Sequence, residues 1–265
     1  MGLRAALGRV AALGFASLLL LAGTAHASEI SVVSSGGFAA AYRALVPAFE
    51  KATGDTVVTG WGPSMGSTHD AVPVRLARNE SIDVLIMVGY ALDDLIKQGK
   101  VDPGSRVDLA RSGIGVVVRA GAPMPDIGTV DALRRTLLNA ASIAYSDSAS
   151  GVYVQTELFK RLGIADLVAG KARMIPAEPV GAVVARGEAE IGFQQISELK
   201  PIKGIALVGP LPPEVQQIMV FSAGRLVTSR APRAAQALIR FLASPDAAAA
   251  IAGSGMEPIA SSGGK

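Results

Sequence analysis

Ile30-Ser31-Val32-Val33-Ser34-Ser35-Gly36-Gly37 is the stretch whose reading decides the fold of this chain. Ile30, Val32 and Val33 make a short apolar strand, and the run stops abruptly on two serines and two glycines. A strand that passes straight into a Ser/Gly-rich helix start leaves backbone amides pointing outward from its carboxyl end. Such amides bind anions without a metal or a cofactor. Paired glycines also let a ligand approach the backbone closely. Capping of the following helix accounts for one serine, Ser34 or Ser35, but not for the whole pattern.

Upstream, Arg4 and Arg9 precede an apolar run over 10–21, and Ala25-His26-Ala27 supplies a small-x-small cleavage signature before Ser28. That run is short for a membrane span of ~20 residues. Residues 1–27 therefore read as a cleavable signal peptide, which puts the mature protein in the periplasm. The 265 residues include no cysteine, so disulfides, thiolate zinc and thiol catalysis are excluded together. Half of the residues are hydrophobic, enough for an ordinary core and for two lobes. The formal charge is +3, and loss of Arg4 and Arg9 with the signal leaves +1. Basic and acidic residues are mixed, with no basic stripe interleaved with aromatics, so the composition speaks against nucleic-acid binding.

Working outward from the opening strand, short apolar strands alternate with amphipathic helices, the pattern of an open α/β sheet. Strands are predicted over 30–34, 55–61, 83–88, 142–145, 173–175 and 190–193. Helices are predicted over 38–53, 73–78, 90–98, 130–139, 151–162, 180–186, 232–242 and 246–252. A long extended segment over 107–119 carries the chain from one lobe to the other, and a second over 216–227 brings it back. The expected organisation is a signal over 1–27, one lobe from 28–110 with 219–260, a second lobe from 111–218, and a disordered tail over 261–265.

Four loops follow predicted strands: 34–37, 62–69, 146–151 and 194–197. In open α/β folds ligands sit outside the carboxyl ends of strands, so all four can face one cleft. Gly62-Pro63-Ser64-Met65-Gly66-Ser67-Thr68-His69 is the most unusual of them. His69 is the one histidine that remains after the signal is removed, and it is the candidate proton-transfer group. Arg75 is the candidate carboxylate clamp, whereas Arg78 suits a solvated helix face. Ser146-Asp147-Ser148-Ala149-Ser150-Gly151 brings three hydroxyls to one helix start, more than capping needs. Tyr145 and Tyr153 suit packing. Glu178 lies between two prolines and suits a cap or a buried base. Gln194 and Gln195 end a strand with two amides that bind carboxylate or hydroxyl groups and carry no protons. One histidine without cysteine is a weak metal site, and the sequence has no nucleophile elbow, Walker loop or dinucleotide fingerprint.

Five stretches together carry a family resemblance: Ser34-Ser35-Gly36-Gly37-Phe38, Trp61-Gly62-Pro63-Ser64-Met65-Gly66, Ile86-Met87-Val88-Gly89-Tyr90, Tyr145 through Gly151, and Gly192-Phe193-Gln194-Gln195. Over nearly all of 29–258 the chain resembles the type II periplasmic binding proteins of the molybdate-binding branch, and within it the periplasmic aconitate isomerases. The resemblance implies a two-lobed α/β fold with the ligand cleft between lobes, no cofactor, and a monomer. It matches Ser35 and Ser67 to the two serines that hold the oxyanion, and Ala149 and Val180 to positions that donate backbone amides. The position of the oxyanion-binding tyrosine falls on Gln195, and the 62–75 region is richer in polar groups than the molybdate pattern. Both departures favour a larger organic anion. Ligand-binding candidates are thus Ser34, Ser35, Gly36, Ser67, Thr68, Arg75, Ser148, Ala149, Ser150, Val180 and Gln195. Two functions of different class remain open. One is an isomerase that shifts an allylic proton of a tricarboxylate. The other is a receptor that delivers an oxyanion or organic acid to the permease of an ABC importer. One scaffold hosts both.

Overall fold

The computed structural model of the chain describes residues 27–259. The expected signal over 1–27 lies almost wholly outside the described residues, and the expected tail over 261–265 entirely so. Two sheets organise the molecule. The first contains β1 (Glu29–Ser34), β2 (Thr56–Trp61), β3 (Val84–Val88), β4 (Val107–Ser112), β10 (Met219–Arg225) and β11 (Glu257–Pro258), in the order β11-β4-β10-β3-β1-β2. The second contains β5 (Ile114–Arg119), β6 (Ile143–Ser146), β7 (Ala172–Ile175), β8 (Ile191–Gln195) and β9 (Ile205–Pro210), in the order β7-β6-β8-β5-β9.

Each sheet is a parallel unit extended by antiparallel strands. β2, β1 and β3 run parallel, as do β7, β6 and β8. β10 then joins β3 antiparallel in the first sheet, and β5 joins β8 antiparallel in the second. Parallel strands buried on both faces read as unbroken apolar runs, which is why Val84–Val88 is buried throughout. The Ala39–Thr53 helix turns Ala41, Tyr42, Leu45 and Phe49 inward, and Gly54 closes it by donating its amide to Glu50 O at 2.8 Å. The helices at Val130–Asn139 and Pro232–Leu242 have the predicted bounds.

The extended segment expected over 107–119 is instead two strands in different sheets, broken at Gly113. β4 pairs with β10 and β11 in the first sheet, and β5 with β8 and β9 in the second. Gln216 braces this crossing from the return segment: its Oε1 accepts the Ile114 amide at 2.9 Å and its Nε2 donates to Ile114 O at 3.0 Å. The return itself is extended only over Met219–Arg225. Just upstream of the expected 216–227 segment lies a turn of 3-10 helix at Pro213–Val215, where consecutive prolines cannot enter a ladder. The helix expected from Gly151 starts two residues earlier, at Ala149, and loosens into a π-turn over Val154–Leu158.

The loop expected over 194–197 is also corrected. β8 continues through Gln195, and a short helix, Ile196–Leu199, follows without a connecting residue. β9 and β11 were not foreseen. β9 is a half-buried edge strand, and β11 is two residues long and contains a proline, which only an edge tolerates. Among the described residues no helix is long and apolar enough to cross a membrane.

Candidate functional site

A cavity of about 360 Å³ opens between the two sheets, where the carboxyl ends of their parallel strands face each other. From the first sheet it is lined by Ser35, Gly36 and Gly37 after β1, Trp61 at the end of β2 with Gly62, Pro63, Ser64, Thr68, His69 and Asp70 after it, and Val88 at the end of β3. From the second come Ser146 at the end of β6 with Asp147 to Ala149 after it, Ala177 to Pro179 after β7, Gln194 and Gln195 at the end of β8, and Glu198 of the helix that follows. Phe221 of β10 also reaches the wall. The loops 34–37, 62–69 and 146–151 therefore converge on one space, together with the end of β8.

Two hydroxyls on this wall have no partner. Ser35 Oγ and Thr68 Oγ1 are buried and unbonded within the protein. Leaving a buried hydroxyl unpaired costs about 1–3 kcal/mol, and both of these belong to residues that line the cavity. Ser35 precedes the helical turn Gly36–Phe38 but makes no side-chain cap bond to it, and Ser148 precedes the Ala149–Tyr153 helix likewise. Capping thus does not occupy either serine. Ser148 Oγ lies 3.4 Å from Ser146 Oγ, which is in turn 3.0 Å from Ser150 Oγ.

The other expected residues divide. Gly36, Ala149 and Gln195 lie on the wall. Ser34 and Ser150 are buried just behind it, Ser34 Oγ donating to Ser35 O at 3.2 Å. Ser67 is exposed and off the wall. The serine of that loop that turns inward is Ser64, buried, with Oγ accepting the Val88 amide at 3.0 Å. The loop explains the swap. Gly62 lies so close to the Asp70 carbonyl that any side chain there would overlap it, and the Val72 amide donates to Pro63 O at 3.0 Å. This tight closure turns Ser64 in and leaves Ser67 at the tip.

Arg75 is not a clamp for a ligand. Its guanidinium donates to Asp70 O (3.0 Å), Asp70 Oδ1 (3.2 Å), Trp61 O (3.1 Å) and Glu80 Oε1 (2.5 Å), so it braces the loop from behind. Val180 lies off the wall too, and its amide is occupied by Gln194 Oε1 at 2.9 Å. With its amide nitrogen turned toward the crossing, Gln195 donates to Ser112 Oγ at 3.0 Å and to the Ser112 and Gly113 carbonyls at 3.2 Å. Gln195 therefore ties the cavity floor to the interlobe crossing. His69 is on the wall but at its mouth, with its side chain 82% exposed and Nδ1 3.0 Å from Asp70 Oδ1. That hydrogen bond holds the Asp70 carboxyl below the usual carboxylate range.

The wall carries four carboxyl groups and no lysine or arginine. Three have partners: Asp70 with His69 and Arg75, Asp147 with the Ala177 amide at 3.1 Å, and Glu178 with Arg186 in a two-pronged pair at 3.1 Å on each prong. Glu198 has no ion-pair partner among the described residues. Burial raises its carboxyl to about 7, helped by the charge of Asp147 and opposed by hydrogen bonding from Gln194 and the Gln195 backbone. Its Oε1 lies directly over Gly36 of the opposite lobe, where a β-carbon would overlap it. Sequence reasoning missed Glu198 because the predicted loop stopped at Ser197. A carboxyl one residue past two strand-end glutamines was the available signal. Among the described residues no three His, Cys, Asp or Glu side chains gather as a metal site.

The family model for bacterial extracellular solute-binding proteins matches residues 30–257. This chain belongs to that family. The solute-binding chain is 50% identical over 255 residues to an aconitate isomerase of a Pseudomonas species, covering 95% of this chain and 97% of that one. It is 27% identical over 241 residues to the molybdate-binding protein of Azotobacter vinelandii, covering 86% of this chain and 89% of that one. Among solved structures, the periplasmic molybdate-binding protein of Azotobacter vinelandii superposes with a TM-score of 0.69 at 22% identity, over 86% of this chain and 98% of that chain. The two-lobed type II periplasmic binding-protein fold is thus the fold of this solute-binding protein.

Proposed function

We propose that this protein is an aconitate isomerase that holds a tricarboxylate in the cavity between its lobes and interconverts trans- and cis-aconitate. The observation that carries this reading is 50% identity to an aconitate isomerase along nearly the whole of both chains. The cavity supports it. Its volume is near the lower end of those that take small organic ligands. The unpartnered hydroxyls of Ser35 and Thr68, with the helix-start amides at Gly36 and Ala149, are donors for carboxylate groups. The reaction moves one proton across an allylic frame, so it asks for donors around the carboxylates and for an acid–base group, not for an electron carrier.

In this reading residues 28–110 with 219–260 and residues 111–218 are the lobes that close on the ligand. The signal over 1–27 is removed after Ala27, and the mature protein acts in the periplasm as a monomer. A second reading is that the chain is a receptor of an ABC importer for an oxyanion or organic acid, handing its ligand to a permease. Its support is the match to the solute-binding family and to a molybdate-binding protein. The absorbance of trans-aconitate incubated with the purified mature chain separates the two. Conversion to the cis isomer is expected. Tight molybdate binding without any conversion would leave the receptor.

A further inference from the structure

We propose that Glu198 is the proton-exchanging group of this cavity, taking a proton from the methylene carbon of bound trans-aconitate and returning it to the vinyl carbon at the other end of the allylic frame. The inference rests on the isomerase reading above. In the step, the methylene C–H bond breaks and its electron pair delocalises through the alkene onto the neighbouring carboxylate. The double bond moves by one position and the same carboxyl delivers its proton to the former vinyl carbon. Composition and oxidation state are unchanged.

The geometry singles out Glu198. It projects from the first turn of the Ile196–Leu199 helix across the cleft and lies over Gly36 of the opposing lobe. A carboxyl there sits where both lobes meet a ligand. Of the remaining wall acids Asp70 pairs with His69 and Arg75 and Glu178 with Arg186; Asp147, like Glu198, has no cationic partner among the described residues, and it is the Glu198 carboxyl that reaches across to Gly36. The charge that bears on Glu198 is the like charge of Asp147. His69, Asp70 and Glu178 also line the cavity, and the other close neighbours, Gln194 and Gln195, are neutral. With its carboxyl raised to about 7, both of its forms are populated at neutral pH, as a group that takes and gives back a proton requires. When protonated it also donates to an anion, which suits a wall that has no lysine or arginine. His69 is open to solvent and turned to Asp70.

The test uses the mature chain and its Glu198→Gln, Glu198→Asp and His69→Ala variants, with trans-aconitate as substrate and tricarballylate as a ligand without the double bond. Glu198→Gln is expected to lose roughly 10²–10⁴-fold in turnover while binding tricarballylate within about threefold of the parent. Glu198→Asp, which keeps the acid at a shorter reach, is expected to fall between them. A fold control is built in. The folded state holds on Glu198 a proton that the unfolded chain releases above its ordinary value of 4.5, so the parent's melting temperature should fall as pH rises from 5 toward 8. Glu198→Gln should lack that component of the slope and melt no lower than the parent at pH 8. Undiminished turnover in Glu198→Gln, with the loss appearing in His69→Ala instead, would overturn the assignment. A parent that converts nothing would remove the isomerase reading by itself. In that case calorimetry in two buffers of different ionisation enthalpy would still test proton exchange. Proton uptake on tricarballylate binding that disappears in Glu198→Gln would support Glu198, and equal uptake in both would remove it.

Discussion

Ser35 is a serine before a helical turn, and in most proteins its hydroxyl would cap that turn. Here it caps nothing. It is 4% exposed, lines the cavity, and its Oγ is buried without a partner. A buried hydroxyl in that state is a small liability until a ligand satisfies it. Ser35→Ala should therefore leave the unliganded protein at least as stable and weaken tricarballylate binding by roughly tenfold, the equivalent of one hydrogen bond of about 1.4 kcal/mol. Calorimetry and thermal melts with and without ligand check both halves. Unaltered affinity would take Ser35 out of the site. Arg75 shows the opposite lesson at the same scale. Its sequence position suits a carboxylate clamp, yet Asp70, Glu80 and Trp61 already occupy its donors. No local pattern announces which cation is free, because the competing acceptors reach it only through the folded loop.

At the scale of elements, Asp83 joins pieces that lie far apart in the chain. It stands just before β3 and is 4% exposed. One oxygen accepts the Ser31 amide of β1 at 2.8 Å. The other accepts Ser229 Oγ at 2.7 Å and the Arg230 and Ala231 amides at 2.7 and 3.1 Å, where the Pro232–Leu242 helix begins. Burial pushes this carboxyl upward, but the hydrogen bonds outweigh it and hold the group below the usual carboxylate range. Its stabilisation is thus complete at neutral pH and is lost as pH falls through the depressed value. Asp83→Asn turns an amide toward donors and should destabilise the protein by about 2–3 kcal/mol at pH 7. Denaturant midpoints at pH 7 and pH 3 should show that penalty shrinking in acid. An equal penalty at both would mean that the charge is irrelevant.

At the scale of the molecule, the chain crosses between the sheets twice: at Gly113, and over the segment between Pro210 and Met219. Gln216 of the return segment and Gln195 of the cavity wall both bond to the first crossing. Few strands link the lobes, and the residue that lines the ligand space also touches the link. Hinge motion at such a crossing is a means by which binding draws two lobes together. Saturating tricarballylate should lower the radius of gyration in small-angle scattering, and at a hundredfold excess over Kd it should add about 2.7 kcal/mol of stability. A scattering curve that does not change on saturation would count against closure.

Much of this was legible in the linear chain. Apolar strands alternating with 3.6-period helices dictated an α/β fold, since buried parallel strands and amphipathic helices each leave a local periodic trace. The bounds of the Val130–Asn139 and Pro232–Leu242 helices, and the Ser/Gly turns after β1 and β6, were read directly from it. The break at Gly113 was not, because a residue between two extended runs looks the same whether those runs share a sheet or part company. Nor was the inward turn of Ser64 in place of Ser67, the withdrawal of Arg75, or the approach of Glu198 to Gly36 from the other lobe. Those follow from contacts between residues distant in sequence. The Asp147 charge reaches Glu198 only through the folding of the second sheet, and the cover of Gly36 only through the meeting of the two lobes, so neither influence on its protonation is written in the local sequence.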